Sequence, residues 1–123
     1  MKVRVFALFL LAFASGSLGA NERLSIRVSP IVAFAPANLI VQTIVAADNS
    51  NRSIEIIAES PEFYRSSEMP LDGDRAPRRT RFEFKSLPGG DYEVRAVLKG
   101  VGGAEIASVL SHVNVVESGT MSR

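Results

Sequence analysis

Phe82-Glu83-Phe84-Lys85-Ser86-Leu87-Pro88-Gly89-Gly90-Asp91-Tyr92-Glu93-Val94-Arg95-Ala96 is the stretch that decides the fold. Arg81, Glu83 and Lys85 alternate with Thr80, Phe82 and Phe84, so one face of the first run is charged and the other aromatic. That two-residue period marks a half-buried β-strand with its charges toward water. Pro88 pre-sets the φ of a turn, and Gly89 or Gly90 can take a positive φ. Tyr92, Val94, Ala96 and Leu98 then alternate with Glu93, Arg95, Val97 and Lys99, which reads as a second strand running back. Tyr92 stands at its start, where the hydroxyl can reach the turn backbone.

Alternation governs the chain on both sides of this hairpin. Leu24, Ile26 and Val28 face away from Ser25, Arg27 and Ser29, and Pro30 ends that strand. Residues 38–46 are apolar on both faces apart from Gln42 and Thr43, the pattern of a central strand. After the turn cluster 48–51, Ile54, Ile56 and Ala58 alternate with Ser53, Glu55, Ile57 and Glu59. Gly100-Val101-Gly102-Gly103 reads as a hairpin leading to a last strand over 105–116, and its change of parity near Leu110-Ser111 predicts a β-bulge there. No stretch holds a 3.6-residue apolar period, so helix is expected to be at most a turn. Six strands and a short one at Phe63-Tyr64-Arg65 predict an all-β fold, a single antiparallel sandwich of about seven strands. A small closed barrel is the alternative.

The quoted stretch resembles the motif apolar-x-apolar-x-x-Leu-Pro-x-Gly-x-Tyr-x-Val of bacterial immunoglobulin-like sandwiches of the fibronectin type III-like or transthyretin-like kind. The resemblance implies an immunoglobulin-like sandwich in which Tyr92 forms a tyrosine corner. It also implies an adhesion, accessory or spacer role without catalysis. The Cys pair and the Trp of true immunoglobulin domains are absent.

Residues 1–20 read as a secretory signal peptide. Met1-Lys2-Val3-Arg4 is a basic start, residues 5–14 carry no polar side chain, and Ser15-Gly16-Ser17-Leu18-Gly19-Ala20 supplies small residues before Asn21. Ten apolar residues rise only about 15 Å as a helix, half a bilayer core, so no stable membrane insertion is expected after cleavage. Domain 21–116 is then the sandwich and 117–123 a flexible polar tail, in a product that is secreted or periplasmic. Losing Lys2 and Arg4 lowers 14 basic residues to 12 against 13 acidic ones, so the mature charge is near −1 and no nucleic-acid bias survives. With no Cys, a thiolate metal site and a cysteine nucleophile are excluded.

Other chemistry is poorly supported. His112 is the only histidine, no Gly-x-Ser-x-Gly elbow occurs in 21–123, and a zinc site normally takes two or more His or Cys ligands. Glu55 and Glu59 are about 13 Å apart along one strand face, too far for a glycosidase pair. Glu68, Asp72 and Asp74 lack the full calcium-loop spacing, and Arg75, Arg78, Arg79 and Arg81 follow to neutralise them. Asn51-Arg52-Ser53 matches the glycosylation sequon but explains itself as a polar turn. No enzyme and no cofactor are expected.

From Pro61 to Pro77 the sequence reads as a long irregular segment, beyond the usual connection of about 2–6 residues. It carries Phe63, Tyr64, Arg65, Met69 and Arg75, types enriched at interface hot spots, with Arg78, Arg79 and Arg81 at its exit. These eight residues are the candidate partner-binding set. A self-packed segment in which Phe63 and Leu71 fill the sandwich end competes with that reading. The expected function is an exported, non-catalytic binding or structural module for another envelope or extracellular protein. A small exported hydrolase or enzyme inhibitor is the alternative.

Overall fold

The computed structural model describes residues 23–117, so the segment 1–20 and all of the tail except Glu117 lie outside the described residues. Strands β1 (Leu24–Ser29), β2 (Val32–Phe34), β3 (Ala37–Val45) and β4 (Ser53–Ser60) are followed by β5 (Phe63–Pro70), β6 (Arg79–Leu87), β7 (Gly90–Lys99) and β8 (Glu105–Val116). They form a three-stranded sheet, β1-β3-β6, and a five-stranded sheet, β2-β8-β7-β4-β5. Two sheets with separate edges make a sandwich and exclude the closed barrel. Pairing is antiparallel except between β2 and β8.

Period-two alternation builds the core. Leu39 and Val41 of β3 and Phe82, Phe84 and Leu87 of β6 point inward from one sheet, and Ile54 and Ile56 of β4 and Tyr92 and Val94 of β7 from the other. Each such side chain removed from water contributes about 1.5–3 kcal/mol before its entropy cost. Among the described residues the two buried polar side chains are satisfied: Thr43 Oγ1 donates to the Thr80 carbonyl, and Asn51 Nδ2 to that of Ala46.

Three expectations need correction. The short strand expected at Phe63-Tyr64-Arg65 runs on to Pro70, through residues expected to be irregular. Its polar Ser66-Ser67-Glu68 stretch hides the alternation, and the strand is held by a continuous register on β4 from Ser60↔Phe63 to Ser53↔Pro70. Only residues 71–78 remain as connection, with a 3-10 turn at Gly73–Arg75. There are eight strands, because β2 lies between Pro30 and Pro36, where Val32 and Phe34 are exposed and give no burial pattern. The β8 parity does not change at Leu110-Ser111: Ala107, Val113 and Val115 all point inward, and Leu110 is simply an outward leucine. The register shift of that hairpin falls between Leu98 and Lys99.

β3 is central, as its double apolar pattern requires, but among the described residues its second face meets no covering layer. Ile40 is half-buried there and Ile44 is 43% exposed. At the other end of the sheet a bulge faces Ala37/Leu39, and Ser86 takes φ 60° with its N–H donating to Asn38 Oδ1 at 3.0 Å.

Candidate functional site: the outer face of the three-stranded sheet

Outward residues of β1, β3 and β6 fall into cross-strand rows. Arg27, Gln42 and Arg81 form one row, and Ser25, Ile44 and Arg79 the next. Strand spacing puts Arg27 and Arg81 about 10 Å apart across Gln42, with Arg79 about 7 Å from Arg81 along β6. Arg27, Gln42, Ile44, Arg79 and Arg81 line a shallow cleft of about 350 Å³, together with Thr43 and Thr80, whose side chains turn inward. A second depression, lined by Arg27, Ser29, Ile40, Gln42 and Arg81, continues it.

The electrostatics of this face are one-sided. Among the described residues, Arg27, Arg79 and Arg81 make no ion pair, whereas Lys99 on the other sheet bridges Glu55 at 3.0 Å and Glu68 at 3.7 Å. The Glu55 contact holds the Lys99 ammonium above its ordinary pKa. Glu83 is the only carboxylate among the outward residues of β6. Three guanidiniums beside an exposed isoleucine and a glutamine amide can fork onto carboxylates while an apolar centre excludes water.

The eight residues singled out from sequence are divided by the fold. Arg79 and Arg81 lie in the cleft. Arg78 is exposed just before β6, and Arg75 is exposed in the 3-10 turn. Tyr64 pairs with Glu59 on the outer face of the five-stranded sheet and is 58% exposed. Phe63, Arg65 and Met69 point the opposite way, into the open side between the sheets. The Phe63 ring meets Tyr92 edge-on, with centroids 6.3 Å apart, and Arg65 stacks 5.1 Å from the Phe63 centroid. Arg65 Nη1 also donates to the Lys85 carbonyl at 2.6 Å, tying β5 to β6 across the sandwich. Strand alternation therefore separates Tyr64 from its sequence neighbours, and no single surface holds all eight.

Arg27, Gln42 and Ile44 were not singled out as binding residues. Their outward facing is visible in the β1 and β3 alternation, but their union with Arg79 and Arg81 needs the strand order. Of the acidic residues weighed for calcium, Glu68 meets Lys99, and Asp74 lies beside Asn49, whose amide turned with its nitrogen toward the carboxylate comes within 3.1 Å. His112 sits on the outer face of β8, 3.8 Å from Glu93. Buried Asn51, its amide nitrogen engaged by Ala46, is a turn anchor.

Neither protein-family models nor curated protein sequences give a match. Solved structures do. A superoxide reductase (neelaredoxin) from Ignicoccus hospitalis superposes with TM-score 0.61 at 16% identity, covering 76% of this chain and 80% of that one. The PKD domain of an M14-like peptidase from a Thermoplasmatales archaeon gives 0.55 at 16%, with coverages of 76% and 93%. Fibronectin(III)-like modules of Clostridium thermocellum CbhA give 0.52 at 13%, with 76% and 97%. The expectation that the chain is not an enzyme is corrected by the first of these, since a reductase is built on this arrangement of strands. At such identities the likeness speaks for the fold alone. What the strand order, the Tyr92 hydroxyl donating to the Pro88 carbonyl as in a tyrosine corner, and these superpositions establish together is an immunoglobulin-like β-sandwich.

Proposed function

We propose that the protein is an exported, fibronectin type III-like binding module that engages an acidic protein surface of the cell envelope or extracellular space. The engaging surface is the outer face of β1, β3 and β6. The observation that carries this reading is the set of three guanidiniums, Arg27, Arg79 and Arg81, without ion-pair partners among the described residues around exposed Ile44. A face built only for solubility gains nothing from gathering one sign of charge around an isoleucine. Export is supported by the basic, apolar and small-residue order of residues 1–20. The tyrosine corner, Tyr92 hydroxyl to Pro88 carbonyl, supports the fibronectin type III-like assignment.

Capture from the native envelope fraction, at low and high salt, tests the reading. Wild type should recover a partner whose binding weakens as salt rises. Arg27→Glu, Arg79→Glu and Arg81→Glu combined should abolish recovery and leave the thermal melt nearly unchanged, since exposed substitutions cost within about 0.5 kcal/mol. Normal recovery by this variant, with loss on Tyr64→Ala, would move the site to β5 and overturn the proposal.

A further inference from the structure

The arginine face has a complement on the chain's own opposite surface. Outward residues of β4, β5 and β7 are predominantly acidic: Asp91, Glu93, Glu55, Glu59 and Glu68 stand against Arg95 and Lys99. The five carboxylates are not equally served. Glu55 and Glu68 lie opposite each other in register, and Lys99 bridges both. Glu59 and Glu93 also lie directly opposite each other, yet the only ion-pair contact that either makes among the described residues is His112, 3.8 Å from Glu93. Like charges directly opposite on one sheet face are destabilising, so this pair has an unmet demand for a cation. Glu59, Asp91, Glu93 and His112, with Ser60 and Pro61, line a shallow cleft of about 420 Å³. Asp91 there also accepts from the Asn114 amide, and exposed Tyr64 flanks Glu59.

We infer that the chain associates with itself head to tail, the Arg27–Arg79–Arg81 cleft of one copy seating on the Glu59–Asp91–Glu93 cleft of a second copy. The inference rests on the arginine face being a docking surface, as proposed above, and names what docks there. Three guanidiniums meet three carboxylates, Glu59, Asp91 and Glu93, which line one cleft. The two clefts are on opposite outer faces of one sandwich, so the contact is heterologous, and each added copy leaves one free cleft of each kind. A symmetric contact between two arginine faces would bring like charges together instead. Three strands about 5 Å apart and about 20–30 Å long give a contact at the small end of protein interfaces, so association is weak, concentration-dependent and salt-sensitive.

Sedimentation velocity on the purified chain across concentration and salt provides the test. Wild type should grow beyond a dimer at high concentration in low salt and return to monomer in high salt. Arg79→Gln with Arg81→Gln, and separately Glu59→Gln with Glu93→Gln, should each raise the self-dissociation constant at least about tenfold. Neutral replacements are used so that no new complementary pair arises. Mixed in equal amounts, the two variants should form a dimer that grows no further, because only one intact cleft of each kind remains. Wild type that stays monomeric throughout, or a mixture no more associated than either variant alone, would overturn self-association. Loss of an envelope partner from the triple arginine variant, with wild type monomeric, would retain the arginine face and reject the second copy as its occupant.

Discussion

The Tyr92 phenol donates to the Pro88 carbonyl at 2.7 Å, four residues upstream, and burial pushes its pKa above the ordinary 10.0. The folded state therefore resists loss of the phenolic proton. Stability from this source is fully present below the unfolded pKa and falls as pH rises from there through the folded value. Tyr92→Phe should cost about 0.5–1.5 kcal/mol near neutral pH, the net worth of one hydrogen bond, and should lose less stability than wild type above about pH 10. Urea melts at the two pH values check both signs, and an equal alkaline loss in the variant would refute the second. Two other residues set local backbone. Asp48 Oδ1 accepts from the Ser50 N–H and hydroxyl, which holds its carboxyl below the usual pKa, while Asn51 closes the same turn on Ala46. Ser86 carries a left-handed φ of 60° that the sequence, with Gly89 and Gly90 nearby, did not point to. It is imposed by the bulge opposite β3, and of the two glycines Gly90 takes the positive φ, 155°.

Strands with a clean apolar alternation were legible from sequence. β1, β4, β6 and β7 bury alternate residues, and β6 sets Phe82 and Phe84 inward as its pattern requires. Phe84→Ala should accordingly cost about 3–5 kcal/mol, the range for removing a buried phenylalanine. A urea midpoint lowered so that its shift times the unchanged slope equals that amount would confirm the facing, and an unaltered midpoint would contradict it. β2 was not legible, and β5 only at its start, residues 63–65. Edge position alone is not the reason, since β1 and β6 are edges too and keep a clean apolar alternation. β2 and β5 are largely exposed and carry little of that pattern, so pairing with β8 and β4 dictates their conformation. β5 shows the consequence for function. Phe63, Arg65 and Met69 resemble a hot spot in one dimension, but alternation turns them into the closure of the sandwich side.

At the scale of the whole molecule, the proposed export predicts a product that begins at Ala20 or Asn21. N-terminal sequencing of exported material reads it directly, and a retained Met1 would refute it. The sandwich separates charge between its two outer faces, with guanidiniums gathered around Ile44 and the carboxylate excess on the other side. A near-neutral total conceals this separation, because composition counts charges without placing them. The sequence by itself determined the all-β class, most strand positions, the inward set of β6 and β7, and the Tyr92 corner. Each of these depends on residues near one another in the chain, through side-chain alternation and turn chemistry. Only the tertiary structure decided that β3 lies between β1 and β6, which brings Arg27 into one row with Gln42 and Arg81. That union rests on pairing between strands far apart in sequence, where the choice of neighbour is made by the shared core and not by any local pattern.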